Sequence, residues 1–341
     1  MADIAFIQVG YGLFGEGWAD ILMRSPRCAL AALVDNRPEA LEGFSRKYPG
    51  HGVKLCESLT QAFRETSAEA LLIAVPNRYH RDAALGGMEK GLHILSEKPI
   101  ADSWENAAAI YRAWRKTTEL IYLVGQNYRL KPPIKAFREI YRSGVAGAVG
   151  YLLYEFHKAW KFGGWREEMT FPLLEDMAIH HFDTLRYVLD DEPETITMES
   201  FNPAWSWFSG NASAMGVIRF SRGIQVNYCG SWMSFGKTTE WTGNIYCYGD
   251  QGALTLEDNR IYHYPREGNR QEIIYPSDVV DEREELLTEF CRCVTERSES
   301  HFSLRDNIKT YAMMWASVEA AKSGHPQVVA DLLRELEDPG G

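Results

Sequence analysis

Three groups of residues in this chain have types and spacing suited to chemistry. The first is the glycine series Gly10, Gly12 and Gly15, directly after the apolar run Ile4 to Val9 and ahead of a helical pattern. In that context a GxGxxG turn can cradle a pyrophosphate: Gly10 permits the tight turn, Gly12 the close backbone approach, and Gly15 close helix-to-strand packing. The helix start beyond it, at Leu13 and Phe14, offers N–H groups to phosphate oxygens. Asp35 lies twenty positions past Gly15, where an acidic side chain accepts hydrogen bonds from adenosine ribose hydroxyls and repels a 2′-phosphate. NAD is therefore expected over NADP, although Arg37, just beyond Asn36, could receive such a phosphate. The competing reading is a plain βα turn with Asp35 as a helix cap.

The second group centres on Lys98, which precedes Pro99 and follows the strand pattern His93 to Ser96. Ligands in parallel-sheet folds sit at the carboxyl ends of the strands. A partly dehydrated ammonium there could polarise a substrate hydroxyl or stabilise a growing alkoxide. Pro99 keeps Lys98 out of the α region. A surface lysine in a proline turn is the alternative.

The third group, Asp176, His180 and Asp183, falls at i, i+4 and i+7, so on a helix the three share one face. A histidine of near-neutral pKa suits removal of a hydroxyl proton, and Asp176 could orient or charge-tune it. His181 points about 100° away. A satisfied core His-Asp pair and a metal site compete with this reading. The metal version lacks a third ligand at a defined spacing, so no metal is expected.

Such residues need a scaffold. Up to about residue 125, short apolar runs (Ile4 to Val9, Ala29 to Val34, Ala70 to Val75, His93 to Ser96, Leu120 to Val124) alternate with helical patterns starting near Leu13, Pro38, Leu59, Arg78 and Ser103. That alternation predicts βαβ units in a doubly wound parallel sheet. After a helix over Pro133 to Ser143 the texture changes to aromatic and β-branched runs separated by turn signals such as Ser221-Arg222-Gly223. The second half therefore predicts an α+β domain with a large, mainly antiparallel open sheet. Helices over Leu174 to Val188, Glu282 to Thr295 and Asp306 to Ser323 would cover one of its faces. The expected division is 1–125 for nucleotide binding and 126–341 for substrate binding and oligomerisation.

Composition narrows the partners. The chain has 341 residues, 24% charged and 45% hydrophobic, with a net charge of −11. That is ordinary globular composition. With no dense Lys/Arg cluster it offers little to a nucleic acid or an anionic membrane. No apolar run reaches a membrane span and no signal-peptide pattern opens the chain, so a cytoplasmic protein is expected. The six cysteines show no paired CxxC spacing and read as reduced core thiols.

Further segments complete the pattern: AVPNRYH (Ala74 to His80), SEKPI (Ser96 to Ile100), GQNYR (Gly125 to Arg129) and EDMAIHHFD (Glu175 to Asp183). Together with GYGLFG they resemble the Gfo/Idh/MocA family of NAD(P)-dependent dehydrogenases, over nearly the whole chain. The resemblance implies hydride transfer between nicotinamide and a secondary alcohol of a sugar, sugar derivative or inositol-like cyclitol. It implies that Lys98, Asp176 and His180 are catalytic: His180 as acid/base, Lys98 holding the reacting oxygen, Asp176 positioning both. It places Pro76, Asn77, His80, Glu97, Lys98 and Gln126 around the cofactor, with Glu97 on the nicotinamide ribose and a cis bond before Pro99. Asn127 and Arg129 match its substrate-facing strand end, and it implies dimers or tetramers through the C-terminal sheet.

Here Phe171-Pro172-Leu173-Leu174-Glu175 replaces the family's usual glycine pair before the DxxxH element, and glycines come earlier at Gly163 and Gly164. Trp165 and Arg166, with Trp160, Trp205 and Trp207, could line a sugar site, since aromatic rings pack on carbohydrate C–H faces; interface or core is the other reading. The rival activity is an NAD-dependent glycoside hydrolase or lyase that oxidises its sugar only transiently, and a non-enzymatic NAD-binding regulator is third. An apolar outer sheet face carrying Ile218, Val226, Tyr228 or their neighbours would call for self-association.

Overall fold

The computed structural model describes residues 4–117, 119–276 and 281–337. The chain forms two compact units, Met1–Gln126 with Val280–Ile308, and Asn127–Val279 with Lys309–Gly341.

In the first unit β1 (Ile4–Val9), α1 (Leu13–Arg24), β2 (Cys28–Val34), α2 (Pro38–Lys47), β3 (Lys54–Cys56), α3 (Leu59–Glu65), β4 (Ala70–Ile73), α4 (His80–Glu89), β5 (His93–Ser96), α5 (Trp104–Arg115) and β6 (Tyr122–Val124) alternate. The strands form one parallel sheet in the order β3-β2-β1-β4-β5-β6. β1, β4, β5 and β6 are buried almost throughout, because crossover helices cover both faces of a parallel sheet. Register decides the chemistry. Val34, Val9, Ile73, Ser96 and Val124 stand in one cross-strand row, so Asp35, Gly10, Ala74, Glu97 and Gly125 follow side by side along the carboxyl edge.

In the second unit α6 (Pro132–Arg142) precedes β7 (Val149–His157), followed by a π-helical turn over Leu173–Ala178, α7 (Ile179–Leu189), β8 (Pro193–Phe201), β9 (Ser213–Phe220), β10 (Gln225–Ser231), β11 (Asn244–Gly249), β12 (Gly252–Glu257), β13 (Arg260–Pro265) and β14 (Gln271–Ile273). Two further helices follow, α8 (Glu282–Glu296) and α9 (Leu304–Ser323), then β15 (Gln327–Val328) and α10 (Val329–Glu335). The nine-stranded sheet runs β14-β13-β12-β11-β7-β10-β9-β8-β15 and is antiparallel except for the β7/β10 pair.

Two expectations need correction. The division at 125/126 misses the return of the chain: α8 and the first turn of α9 belong to the first unit. Phe290 packs on Phe6 with ring centres 5.5 Å apart, and the Cys291 and Cys28 sulfurs lie 3.4 Å apart. Val124 N donates to Phe302 O (2.9 Å), so the segment before α9 caps the otherwise open edge of β6. The division should read 1–126 with 280–308. The second correction concerns the sheet face. Ile218 and Val226 are fully buried and Tyr228 is 2% exposed, its ring packing on Phe182 of α7 (5.2 Å). They face inward, and the alternate positions, Met215 at 51% and Tyr151 at 46% exposure, face out. Strand alternation separates two faces without saying which one the helices cover.

Candidate active site

The glycine turn has the geometry its spacing predicts. Gly10 has φ +97°, and a Cβ there would collide with the Ala74 carbonyl. A Cβ on Gly15 would collide with the Gly10 carbonyl, whereas one on Gly12 would meet open space. Gly10 and Gly15 thus serve the turn itself, and Gly12 leaves the room a pyrophosphate needs. No side chain caps the start of α1 at Gly12, and Leu13 and Phe14 of its first turn are exposed, at 83% and 48%. Gln8 holds this turn from below: fully buried, it donates through Nε2 to Gly10 O (2.9 Å) and Gly15 O (2.7 Å). Sequence reasoning missed it, although a glutamine inside the apolar run IAFIQV is itself a signal.

Asp35 is buried and accepts from Tyr11 N (2.8 Å), Arg37 N (3.0 Å) and both Nε and a terminal nitrogen of the Arg37 guanidinium (3.0 Å each). Burial opposes ionisation, but the Arg37 and Tyr11 hydrogen bonds outweigh it and hold the carboxyl below its usual range. Arg37 is therefore engaged with Asp35, and a ribose hydroxyl reaching Asp35 must share its oxygens with that guanidinium or displace it. Asn36 is exposed beside them.

Along the same edge, Pro76 and Asn77 open a 3-10 turn after β4 and are half-buried. His80 is fully buried, with Nε2 2.9 Å from Val75 O, and burial pulls its pKa down. It supports the turn from beneath. Gln126 is also buried, at 1% exposure. The Lys98-Pro99 bond is cis, and Lys98 is half-buried. Glu97 accepts from Trp18 Nε1 (2.6 Å) and from Lys98 N (3.3 Å). Trp18 of α1 is a second missed residue.

Burial raises the Glu97 pKa, more than the Trp18 hydrogen bond lowers it. A raised acid favours folding below its unfolded pKa of 4.5 and loses that contribution as pH rises through the folded value. Glu97→Gln keeps an acceptor for Trp18 and removes the buried charge. The variant is expected to melt above the wild type at pH 7 to 8, with the gap closing below pH 4.5. A gap independent of pH in calorimetric melts would refute the assignment.

In the second unit the three-residue stripe is divided. The π turn closes i to i+5 and so shifts Asp176 out of α-helical phase with α7. Asp176 is half-buried and pairs with Arg166 Nε (3.2 Å), whose guanidinium lies 4.6 Å from the centre of the half-buried Trp165 ring. His180, at 6% exposure, stacks on Tyr128 with ring centres 4.1 Å apart and 16° between planes. Tyr128 belongs to the GQNYR segment, where an aromatic residue between Asn127 and Arg129 marks it. Asp183 is fully buried and takes a bidentate pair from Arg129 (2.7 and 2.6 Å) plus the Thr310 hydroxyl (2.8 Å). Arg129, itself 4% exposed, is tied to Asp183 in the core. Asn127, which starts the same 3-10 turn, is half-buried. His181 is fully buried against Tyr228 Oη (2.9 Å), and burial lowers its pKa to about 3, so it is neutral and structural.

Comparison with known proteins gives a consistent picture. A family model described as an oxidoreductase family with an NAD-binding Rossmann fold matches residues 4–126, and the GFO/IDH/MocA C-terminal domain model matches residues 134–255. An uncharacterized protein of Sinorhizobium fredii is 25% identical over 96% of each chain. The 1,5-anhydro-D-fructose reductase of Ensifer adhaerens is 24% identical over 80% of this chain and 83% of its own. Among solved structures, an oxidoreductase from Agrobacterium radiobacter in complex with NAD+, L-tartaric acid and magnesium matches with a TM-score of 0.87 at 19% identity, covering 97% of this chain and 100% of the other. That likeness shows the fold.

Proposed function

Because this chain belongs to the Gfo/Idh/MocA oxidoreductase family and carries its NAD-binding Rossmann domain, we propose that it moves hydride between nicotinamide and a secondary alcohol carbon of a sugar, sugar derivative or cyclitol. The observation that carries this reading is the single edge of the six-stranded sheet, where the open Gly12 turn, Asp35, Glu97 and Lys98 follow strands in register. Bound NAD would supply the redox chemistry. Gly10, Gly12, Leu13, Phe14 and Gly15 would hold the pyrophosphate, Asp35 the adenosine ribose, and Glu97 the nicotinamide ribose.

In this reading the Lys98 ammonium donates to the reacting oxygen and favours its anionic form as the hydroxyl proton leaves. The His180 imidazole takes that proton in oxidation and returns it in reduction. Its stack on Tyr128 fixes the ring plane. Asp176, tied to Arg166, positions these groups, and Trp165, Arg166 and Asn127 face the substrate. The sugar class is supported by the family and by the reductase relative. We also place self-association on the outward face of the nine-stranded sheet; solution scattering that showed a monodisperse monomer would refute that part.

Nicotinamide absorbance followed across a panel of sugars and cyclitols, with NAD and with NADP, tests the reaction. Reduced nicotinamide should accumulate with NAD, and His180→Ala should lower kcat by about 10² to 10⁴. No signal with any polyol and either cofactor would remove the dehydrogenase reading. Glycoside cleavage without net reduction of NAD would replace it with a hydrolase or lyase on the same scaffold.

A further inference from the structure

The first unit has a second concave site on the sheet edge opposite to Gly10 and Lys98. At the amino end of β6, residues Leu120 to Leu123 border a cavity of about 310 Å³. Its lining includes three arginines, Arg115, Arg297 and Arg305, and one acidic residue, Glu299. That is a local surplus of positive charge in a chain whose net charge is −11.

All three arginines are exposed. Arg305 lies over Trp114, 5.6 Å from the ring centre, and its ion pair with Glu299 (3.3 Å) joins side chains 61% and 76% exposed. Such a pair is screened by water and gives way readily to a better anion. Arg297 caps α8 at φ 52° and ψ 42°, a left-handed conformation that favours glycine. It also donates to the Glu119 carbonyl (3.2 Å). A long charged residue held at a glycine position points to work for its side chain. Ser303, also on the cavity wall, caps the 20-residue α9 by accepting from Asp306 N (3.3 Å), so its O–H remains the part of the group able to donate.

We propose that this cavity binds a phosphate monoester, a small phosphorylated metabolite distinct from the dinucleotide. A lone carboxylate is satisfied by one bidentate arginine, whereas three arginines lining one small space offer enough donors for a dianion with three acceptor oxygens. The volume is at the small end of ligand pockets, room for a single ring bearing a phosphate and too little for NAD. Trp114 supplies an apolar surface for the ring.

Titration calorimetry on the full-length protein tests this, with NAD saturating so that the glycine turn does not compete for phosphate. The probes are glucose 6-phosphate, inorganic phosphate and glucose. Glucose 6-phosphate should bind with a dependence on these arginines, and any binding of glucose at the proposed hydride-transfer site should lack that dependence. Arg297→Gly and Arg305→Ala should each weaken binding at least about tenfold. Arg297→Gly relieves the left-handed strain, so its melting temperature should equal or exceed the wild type's, which separates loss of the site from loss of the fold. Inorganic phosphate binding with the same arginine dependence would support the proposal. It is overturned if neither phosphate probe binds, or if phosphate-probe binding is indifferent to both substitutions.

Discussion

Lys98→Ala is expected to lower kcat by about 10² to 10³, the usual cost of removing one donor aimed at a developing oxyanion, while NAD affinity stays within about threefold. The expectation rests on position. Lys98 follows β5 two residues beyond the register row shared with the glycine turn, and Glu97 beside it is anchored to Trp18 through a 2.6 Å hydrogen bond. The backbone at this point is therefore held to α1 through Glu97. A group acting on charge that appears only as the hydroxyl ionises lowers kcat and kcat/KM together, whereas a group binding ground state and transition state alike raises KM alone. Lys98→Arg should recover little, because a planar fork does not reproduce a compact point charge at one oxygen. Stopped-flow turnover together with NAD titration by fluorescence separates the cases. Wild-type kcat in Lys98→Ala would return the residue to the reading of a surface lysine in a proline turn.

What could be read from the sequence was local. The turn at Gly10, Gly12 and Gly15 is specified by residues that touch one another within six positions, and its strand and helix flanks announce themselves by period. Asp35 and Lys98 follow because each stands just past a readable strand. Where the reading failed, the deciding contact was distant or had no period of its own. β3 is three residues long with one buried side chain, too short for alternation to register. The π turn at Leu173–Ala178 uses the same residue types as an α-helix, so the i, i+4, i+7 count carried straight through it. The return of α8 to the first unit depends on Phe290 meeting Phe6 from the far end of the chain. For Ile218, Val226 and Tyr228 the alternation was right and the face was wrong, since only the packing of α7 decides which side is the core.

The Asp183 pair is the costliest of these distant contacts to break, and Asp183→Ala is expected to destabilise the protein by about 3 to 5 kcal/mol, a fall in melting temperature on the order of 10 °C for a unit of this size. The reason is an asymmetry. Asp183 is fully buried and Arg129 nearly so, and the two join through paired bonds of 2.7 and 2.6 Å. Removing the carboxylate leaves a buried guanidinium without its main compensating charge, and the Thr310 hydroxyl loses its acceptor. Removing both charges costs far less, since a buried ion pair only roughly repays its own desolvation. Arg129→Met with Asp183→Leu should therefore recover most of the lost stability. It should not recover turnover. Arg129 and Tyr128 are adjacent in one 3-10 turn, and Asp183 and His180 lie one helical turn apart on α7, so the ion pair and the Tyr128–His180 stack clamp the same two elements. Apolar side chains restore packing but not the directional bond that sets the turn against the helix, so the double variant should fold and show reduced kcat with little change in KM. If Arg129 instead binds substrate, the double variant would show a raised KM with kcat preserved, and Asp183→Ala would unfold at the wild-type temperature.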